Sequence, residues 1–217
     1  MKYLVFVLSV WFSFLAFGQK KKPIYYWDVD NSIMTKRNFL KKKTDGIKNG
    51  TYYLSLAFEN DTCYIRKLES RKNYGKLNKD ELIVLNKYLN ELEFKPSARL
   101  SIIQFHPGKD RCNSGRLYFK GQNSSYGNSY LKNLKNKISL NNYRIYKKDS
   151  TLDYSGFNRF KWNFDEKRLI ENMFFKYHYP CGSFVVIDNL THKYISIYGE
   201  YGSSSVTKIV EEIAGKN

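Results

Sequence analysis

The residue patterns in the second half of the chain predict an α/β protein whose central sheet is flanked by helices. Short apolar runs, each the length of a buried strand, alternate there with segments whose apolar residues recur at helical spacing. The best central strand, residues 99–105, runs directly into His106-Pro107-Gly108, where proline prevents its continuation. We therefore expect a single α/β core over residues 97–217, with a site at the carboxyl end of this strand.

Residues 1–18 have the pattern of a signal peptide. Lys2 precedes an apolar run that ends in Ala16-Phe17-Gly18, with small residues at the two positions that a signal peptidase reads. The run is too short for a comfortable membrane span, although an uncleaved anchor is the alternative. We expect a mature chain that begins at Gln19, has no transmembrane segment and is exported, either to a periplasm or out of the cell.

Residues 19–96 are predicted to form an N-terminal extension, a β-hairpin plus a helix, packed on the same domain. Residues 52–58 and 62–68 read as two strands joined by a polar turn. Asn78 and Glu81 have the spacing of a capping box and mark the start of a helix. The apolar stripe of that helix is Leu82, Leu85, Leu89 and Leu92.

From residue 97 onward the predicted order is strand, loop, helix, strand, helix, strand, strand and helix. Leucine, isoleucine and aromatic residues at helical spacing mark the helices, and short apolar runs mark the strands. After residues 99–105, the elements are a helix through Leu131, Leu134 and Ile138, a strand at 143–146, a helix at 169–177, strands at 184–187 and 194–198, and a final helix capped by Ser203 to Ser205.

A proline loop precedes the penultimate strand: Tyr179-Pro180-Cys181-Gly182 leads into residues 183–188. This order resembles exported thioredoxin-like domains, in which the central strand leads to the active-site loop and a proline loop faces it. The resemblance implies a thioredoxin-like central sheet and brings the Cys112 and Cys181 loops together. The chain departs from the family because no Cys-x-x-Cys follows the central strand.

The two loops supply the candidate site residues. Cys112 and Cys181 are candidates for catalysis only if the pair is redox-active. The candidate binding residues are His106, Pro107, Lys109, Arg111, His178 and Pro180. The loop that contains Cys112 also faintly resembles the peroxiredoxin order of an aromatic residue, a proline and a reactive cysteine.

Four states of these two cysteines stay open on the sequence alone. With Cys63 the chain has three cysteines, so one intramolecular disulfide at most can form in an oxidising compartment. The pair could be a structural disulfide or two unreactive packing thiols. Cys112 could instead be a reactive thiolate favoured by Lys109 and Arg111, or a metal ligand. Because the ligand spacing matches no known signature, we expect neither a metal nor a cofactor.

The chain is strongly basic, with 37 Lys and Arg against 20 Asp and Glu and a formal net charge of +17. Such a charge favours anionic partners, but the lysines are dispersed and no nucleic-acid-binding motif occurs, so nucleic acid is not an expected partner. We expect a non-catalytic binding or accessory protein of the cell envelope, whose partner is a protein or an anionic envelope component. The alternative is a thiol-dependent redox protein, peroxiredoxin-like or acting in disulfide exchange, that uses Cys112 with Cys181.

Overall fold

The computed structural model describes residues 21–92, 97–108, 110, 112, 129–147 and 161–215. The chain divides into two compact units, the first made of Met1–Asp45 and Ser55–Glu69 and the second of Gly46–Leu54 and Ser70–Asn217. The described residues form two mixed sheets and five helices, which confirms the α/β class. None of these helices is long and apolar enough to cross a membrane.

The smaller sheet has the order β2-β1-β4-β3, with β1 parallel to β4 and antiparallel to β2. Its strands are β1 (Ile24–Trp27), β2 (Ile33–Met34), β3 (Tyr53–Glu59) and β4 (Tyr64–Ser70), and helix α1 spans Lys36–Lys48. Within the first unit, the ring of Phe39 is buried and meets Tyr26 edge-on at 5.2 Å. The Lys67 side chain is also buried, and the cost of burying its ammonium is offset by the hydrogen bonds that it donates to the carbonyls of Asp28 and Val29 at 3.2 and 2.9 Å.

The larger sheet lies in the second unit and has the order β5-β10-β9-β6-β7-β8. Its strands are β5 (Lys72–Lys76), β6 (Leu100–His106), β7 (Leu140–Lys147), β8 (Asn163–Asp165), β9 (Ser183–Asp188) and β10 (Lys193–Ile197). Strand β6 is parallel to β7 and antiparallel to β9, and β9 is antiparallel to β10. Every residue of β6 is buried, as expected for a central strand.

Helices cover both faces of the larger sheet. The remaining helices are α2 (Lys79–Asn90), α3 (Ser129–Lys135), α4 (Leu169–Phe174) and α5 (Ser203–Ile213). Residues of α3 and α5 share one apolar cluster with Ile102 and Val186. On the other face, Phe175 follows α4 and stacks on Phe105 at 4.8 Å. The side chains of a strand alternate between the faces, so each strand contributes to both layers.

The capping box at Asn78 and Glu81 is present at the start of α2, and Leu85 and Leu89 are buried as predicted. The final helix, α5, differs from the prediction that Ser203 to Ser205 cap it, because Gly202 is its N-cap residue and the three serines lie in its first turn. Strand β5 was also not expected, since its residues, Lys-Asn-Tyr-Gly-Lys, lack an apolar alternation. An edge strand such as β5 is held by backbone hydrogen bonds to one neighbour, here β10, and needs little apolar surface.

Candidate functional site

Two loops meet at one end of the larger sheet. The chain leaves β6 at His106 and reaches Cys112, while Cys181 lies two residues before the start of β9 at Ser183. Because β6 and β9 are antiparallel, with Phe105 opposite Ser183, the end of one strand and the start of the other lie side by side. This register brings the two cysteines together although they are 69 residues apart in the sequence.

The sulfur atoms of Cys112 and Cys181 lie at disulfide distance, and their Cα atoms are 5.2 Å apart. That Cα separation is within the range of ordinary protein disulfides. Cys181 is buried and Cys112 is half-buried. Cys63 is a buried free thiol in the first unit. Among the states that the sequence leaves open, the structure therefore has the pairing of Cys112 with Cys181, between the two loops.

The Asp110 carboxylate holds both cysteine loops. One of its oxygens accepts the backbone N–H of Cys112 at 2.8 Å, and the other accepts that of Cys181 at 2.9 Å. The second oxygen also lies 3.3 Å from Nε2 of His178, whose side chain is 45% exposed, whereas that of Asp110 is only 13% exposed. Hydrogen bonds from backbone N–H groups to a carboxylate are stronger than neutral ones. Asp110 thus acts as a clamp on the backbone of both loops.

The backbone around Cys181 is tightly turned. Cys181 has φ of +71°, in the left-handed region that residues other than glycine seldom adopt. The N–H of Gly182 donates to the carbonyl of Pro180 at 2.9 Å, and Asp110 holds the N–H of Cys181. These two hydrogen bonds offset the cost of an unusual conformation, which is of the order of 1 kcal/mol or more.

Next to this loop, the ring of Tyr179 stacks on that of Tyr198 with centroids 4.1 Å apart and planes 3° from parallel. Both tyrosines are buried. Gly199 follows with φ of +77°, and a Cβ there would lie 3.2 Å from the Leu54 side chain. The stacking thus packs the proline loop, through Tyr179, against Tyr198 just after β10, and the positive φ of the turn at Gly199 favours glycine.

His106 ends the central strand and is fully buried. Its pKa is lowered to about 4, mainly because burial disfavours the charged ring; the negative charge of Asp110 opposes this shift, and the nearby His178 adds to it. Its Nδ1 accepts the backbone N–H of Gly108 at 3.1 Å, so this nitrogen carries no proton. The ring also meets Trp162 edge-on, with centroids 6.0 Å apart. His106 is a neutral packing residue that shapes the turn into the Cys112 loop.

Glu200 brings a second carboxylate to the cysteines. One of its oxygens and the sulfur atoms of Cys112 and Cys181 all lie within 4.8 Å of one another. Two sulfurs and a carboxylate are a ligand set for a borderline metal such as zinc. Because a disulfide sulfur is a poor ligand and the thiolate is the metal-binding form, this set exists only after reduction.

The site therefore gathers several of the residues predicted from the sequence. The Asp110 carboxylate contacts three of them, Cys112, Cys181 and His178. Pro180 is next to Cys181 and accepts the N–H of Gly182. The other predicted binding residues are His106 and Pro107, which are buried, and Lys109 and Arg111, which lie outside the described residues.

Sequence reasoning missed the roles of Asp110 and Glu200. A sequence signal for Asp110 exists, because the carboxylate of an aspartate in a loop commonly accepts the backbone N–H of the residue two positions later and so forms an Asx-turn. Here that residue is Cys112. No local signal marks Glu200, whose position depends on the turn after β10. In comparisons with known proteins, no family model, no curated protein and no solved structure matches this chain.

Proposed function

We propose that this chain is an exported thioredoxin-like protein with a non-catalytic binding or accessory role in the cell envelope. In this proposal the Cys112–Cys181 pair is a structural disulfide that fixes two surface loops. The observation that carries it is the pair at disulfide distance, with one carboxylate clamping both cysteine backbones. The fixed loops would form the surface that a protein or an anionic envelope component contacts.

The arrangement of the second unit supports the thioredoxin-like part of the proposal. Central strand β6 leads into the Cys112 loop, and the loop with Pro180 precedes the penultimate strand, β9. Strand β6 also joins a parallel neighbour, β7, to the antiparallel strands β9 and β10. Strands β3 and β4, neighbours in the smaller sheet, are the proposed N-terminal hairpin, with a turn in which the N–H of Asn60 donates to the Cys63 carbonyl.

The charges around the sulfurs favour a structural disulfide over a reactive one. Nucleophilic cysteines react as thiolates and are helped by cations or helix N-termini. Here Asp110 bonds to both cysteine backbones and Glu200 approaches both sulfurs, so the described charges next to the pair include two carboxylates. Like-charge repulsion disfavours a thiolate, so the reduced form gains none of the stabilisation that an ionised thiol gives to easily reduced, reactive disulfides.

The test begins with the native pairing. Thiol titration and peptide mapping without reductant should find Cys112 linked to Cys181 and Cys63 free. Removing a disulfide that spans 69 residues costs up to about 4 kcal/mol in the chain-entropy model. We expect Cys112→Ser and Cys181→Ser each to lower the free energy of unfolding by about 2–4 kcal/mol. The double variant should cost little more, since either single change breaks the same bond.

Cys63→Ser is the matched control, because it replaces a buried cysteine outside the disulfide. Its cost should be the same with and without reductant, whereas reductant should abolish the difference between wild type and the Cys112 variant. If both loop thiols are found free in the native protein, or if the double variant costs twice as much as a single one, the structural disulfide is excluded.

The second candidate is a thiol-dependent redox function, peroxiredoxin-like or in disulfide exchange. It is favoured by the position of the pair after the central strand, where α/β proteins place their sites, and by the partial exposure of Cys112. It requires that Cys112→Ser abolish reaction with peroxide or a disulfide substrate while stability barely changes. It also requires that Cys181→Ser leave the first chemical step intact.

Export is a separate part of the proposal and has its own measurement. Mass spectrometry of the native protein should find an N-terminus at Gln19 in a non-cytoplasmic fraction. Recovery of intact Met1 from the native host would contradict cleavage.

A further inference from the structure

Helix α1 (Lys36–Lys48) has an outer face that is both basic and partly apolar. The helix carries five lysines and one arginine against a single acidic residue, Asp45. Its inner side packs through buried Phe39, which contacts Tyr26 of the smaller sheet. The outer side exposes two large aliphatic residues, Leu40 at 51% and Ile47 at 54%. Charge alone is typical of a solvated helix, so the position of the two aliphatic residues within it decides what this face can bind.

Helical spacing places Leu40 and Ile47 on one line along the outer face. They are seven residues apart, which is two turns of the helix. Thr44 is four residues after Leu40 and three before Ile47, so it lies beside both. The same spacing borders this short apolar stripe with cations on both sides, with Lys36 and Lys43 on one side and Arg37, Lys41 and Lys48 on the other.

The exposed cations of this face are available to a partner. Lys36, Arg37, Lys41 and Lys48 are exposed, and none of them forms an ion pair within the part of the chain that the structure describes. Lys42 differs, because its ammonium pairs with the carboxylate of Asp28 at 2.7 Å. The positive charge of the outer face is therefore not neutralised by described carboxylates, and it complements an anionic partner.

The surface of an anionic bilayer matches both parts of this face. Lipid phosphates attract lysine and arginine, and aliphatic side chains can enter the boundary between headgroups and acyl chains. A polyanion such as nucleic acid would satisfy the cations but would leave Leu40 and Ile47 in water. The helix has 13 residues and carries charge along its length, so it suits a position in the plane of the interface.

Helix α2 shows that exposed apolar residues alone do not make such a surface. Its Ile83 and Val84 are 62% and 48% exposed, as much as the aliphatic residues of α1. Its two lysines, however, are balanced by Asp80 and Glu81. An anionic surface has no net charge to attract there, so α2 supplies matched control positions for α1.

We propose that the outer face of α1 binds the surface of a membrane that contains anionic phospholipid, with the helix axis parallel to the surface. Arg37, Lys41 and their neighbouring cations pair with lipid phosphates, while Leu40 and Ile47 enter the apolar boundary beneath the headgroups. This surface goes beyond the proposed role of the cysteine loops, and binding through it depends neither on the disulfide nor on export.

The test is vesicle co-sedimentation with residues 19–217, so that the apolar run before Gln19 does not contribute. Vesicles with about one third phosphatidylglycerol should bind at least about tenfold more tightly than pure phosphatidylcholine at physiological salt. Binding should be lost at about 1 M salt, where charges are screened. Hydrogen exchange on the vesicles should protect the amides of residues 36–48.

Four variants separate the two parts of the face. Arg37→Gln and Lys41→Gln should each weaken binding to the anionic vesicles by about fivefold, because each removes one cation near the lipid surface. Leu40→Gln and Ile47→Gln should also each weaken it by about fivefold, because each removes apolar area that enters the bilayer. All four positions are exposed and glutamine is a good helix former, so circular dichroism should show an unchanged melting temperature.

Lys87→Gln and Ile83→Gln are the matched controls, because they make the same two changes at exposed positions of α2. Their affinities should stay within about twofold of wild type. The proposal is overturned if anionic vesicles bind no better than phosphatidylcholine, or if the α2 variants weaken binding as much as the α1 variants. It also fails if the Leu40 and Ile47 variants bind like wild type, or if the protein binds duplex DNA but not the vesicles, since the partner is then a polyanion.

Discussion

Replacing Asp110 by asparagine should destabilise the protein through the two cysteine loops. The carboxylate accepts one backbone N–H from Cys112 and one from Cys181, at 2.8 and 2.9 Å. Each such charge-assisted bond is worth about 1.5–3 kcal/mol. Asparagine keeps one acceptor oxygen, so one bond survives in weaker form and the other N–H faces an amide NH₂. The half-exposed His178 contact adds little.

We therefore expect Asp110→Asn to lower the free energy of unfolding by about 2–3 kcal/mol. For a chain of this length, this corresponds to a fall in melting temperature of about 5–10 °C. Urea unfolding followed by circular dichroism gives the free energy, and a scan gives the melting temperature. Thiol titration of the same samples should show the disulfide intact, so that the effect is that of the carboxylate alone.

Glu200→Gln is the control for this experiment, because it is also a carboxylate-to-amide change close to the two sulfurs, at an exposed position. We expect its cost to stay within about 0.5 kcal/mol. If Asp110→Asn unfolds with the free energy of wild type, the carboxylate does not hold the loops. If Glu200→Gln costs as much, the effect is one of local charge rather than of the hydrogen bonds.

Three further predictions concern the core and the buried polar groups. Leu85→Ala and Ile103→Ala should each cost about 2–4 kcal/mol of unfolding free energy, because both side chains are fully buried, and a melting temperature within a degree of wild type would contradict this. Because burial lowers the pKa of His106 to about 4, the unfolded chain binds more protons than the native one between that pH and about 6.5. Stability should fall as the pH is lowered through this window, and NMR titration should find the His106 ring neutral at pH 6. In the first unit, Lys67→Met should cost about 1–3 kcal/mol by leaving two carbonyls without their ammonium donor, whereas an unchanged denaturation midpoint would exclude that role.

Several elements followed directly from local sequence patterns. The leucine spacing and the capping box at Asn78 predicted α2, and the apolar run before His106-Pro107 predicted the central strand, β6. These signals are readable because they arise from neighbouring residues and from burial with a regular period. Strands β5 and β8 carry no such period. They form because an edge strand needs only the backbone of the strand beside it, and no local pattern records which neighbour that is.

The candidate site shows the same division. The sequence alone supplied three cysteines, two loops with prolines and a basic composition, and these left the state of each thiol open. The tertiary structure decided that Cys112 faces Cys181, because the antiparallel register of β6 and β9 brings residues 69 positions apart to one end of the sheet. It also turned Asp110 into a clamp on both loops. Such roles depend on the distance between strands in space, which a linear pattern does not contain.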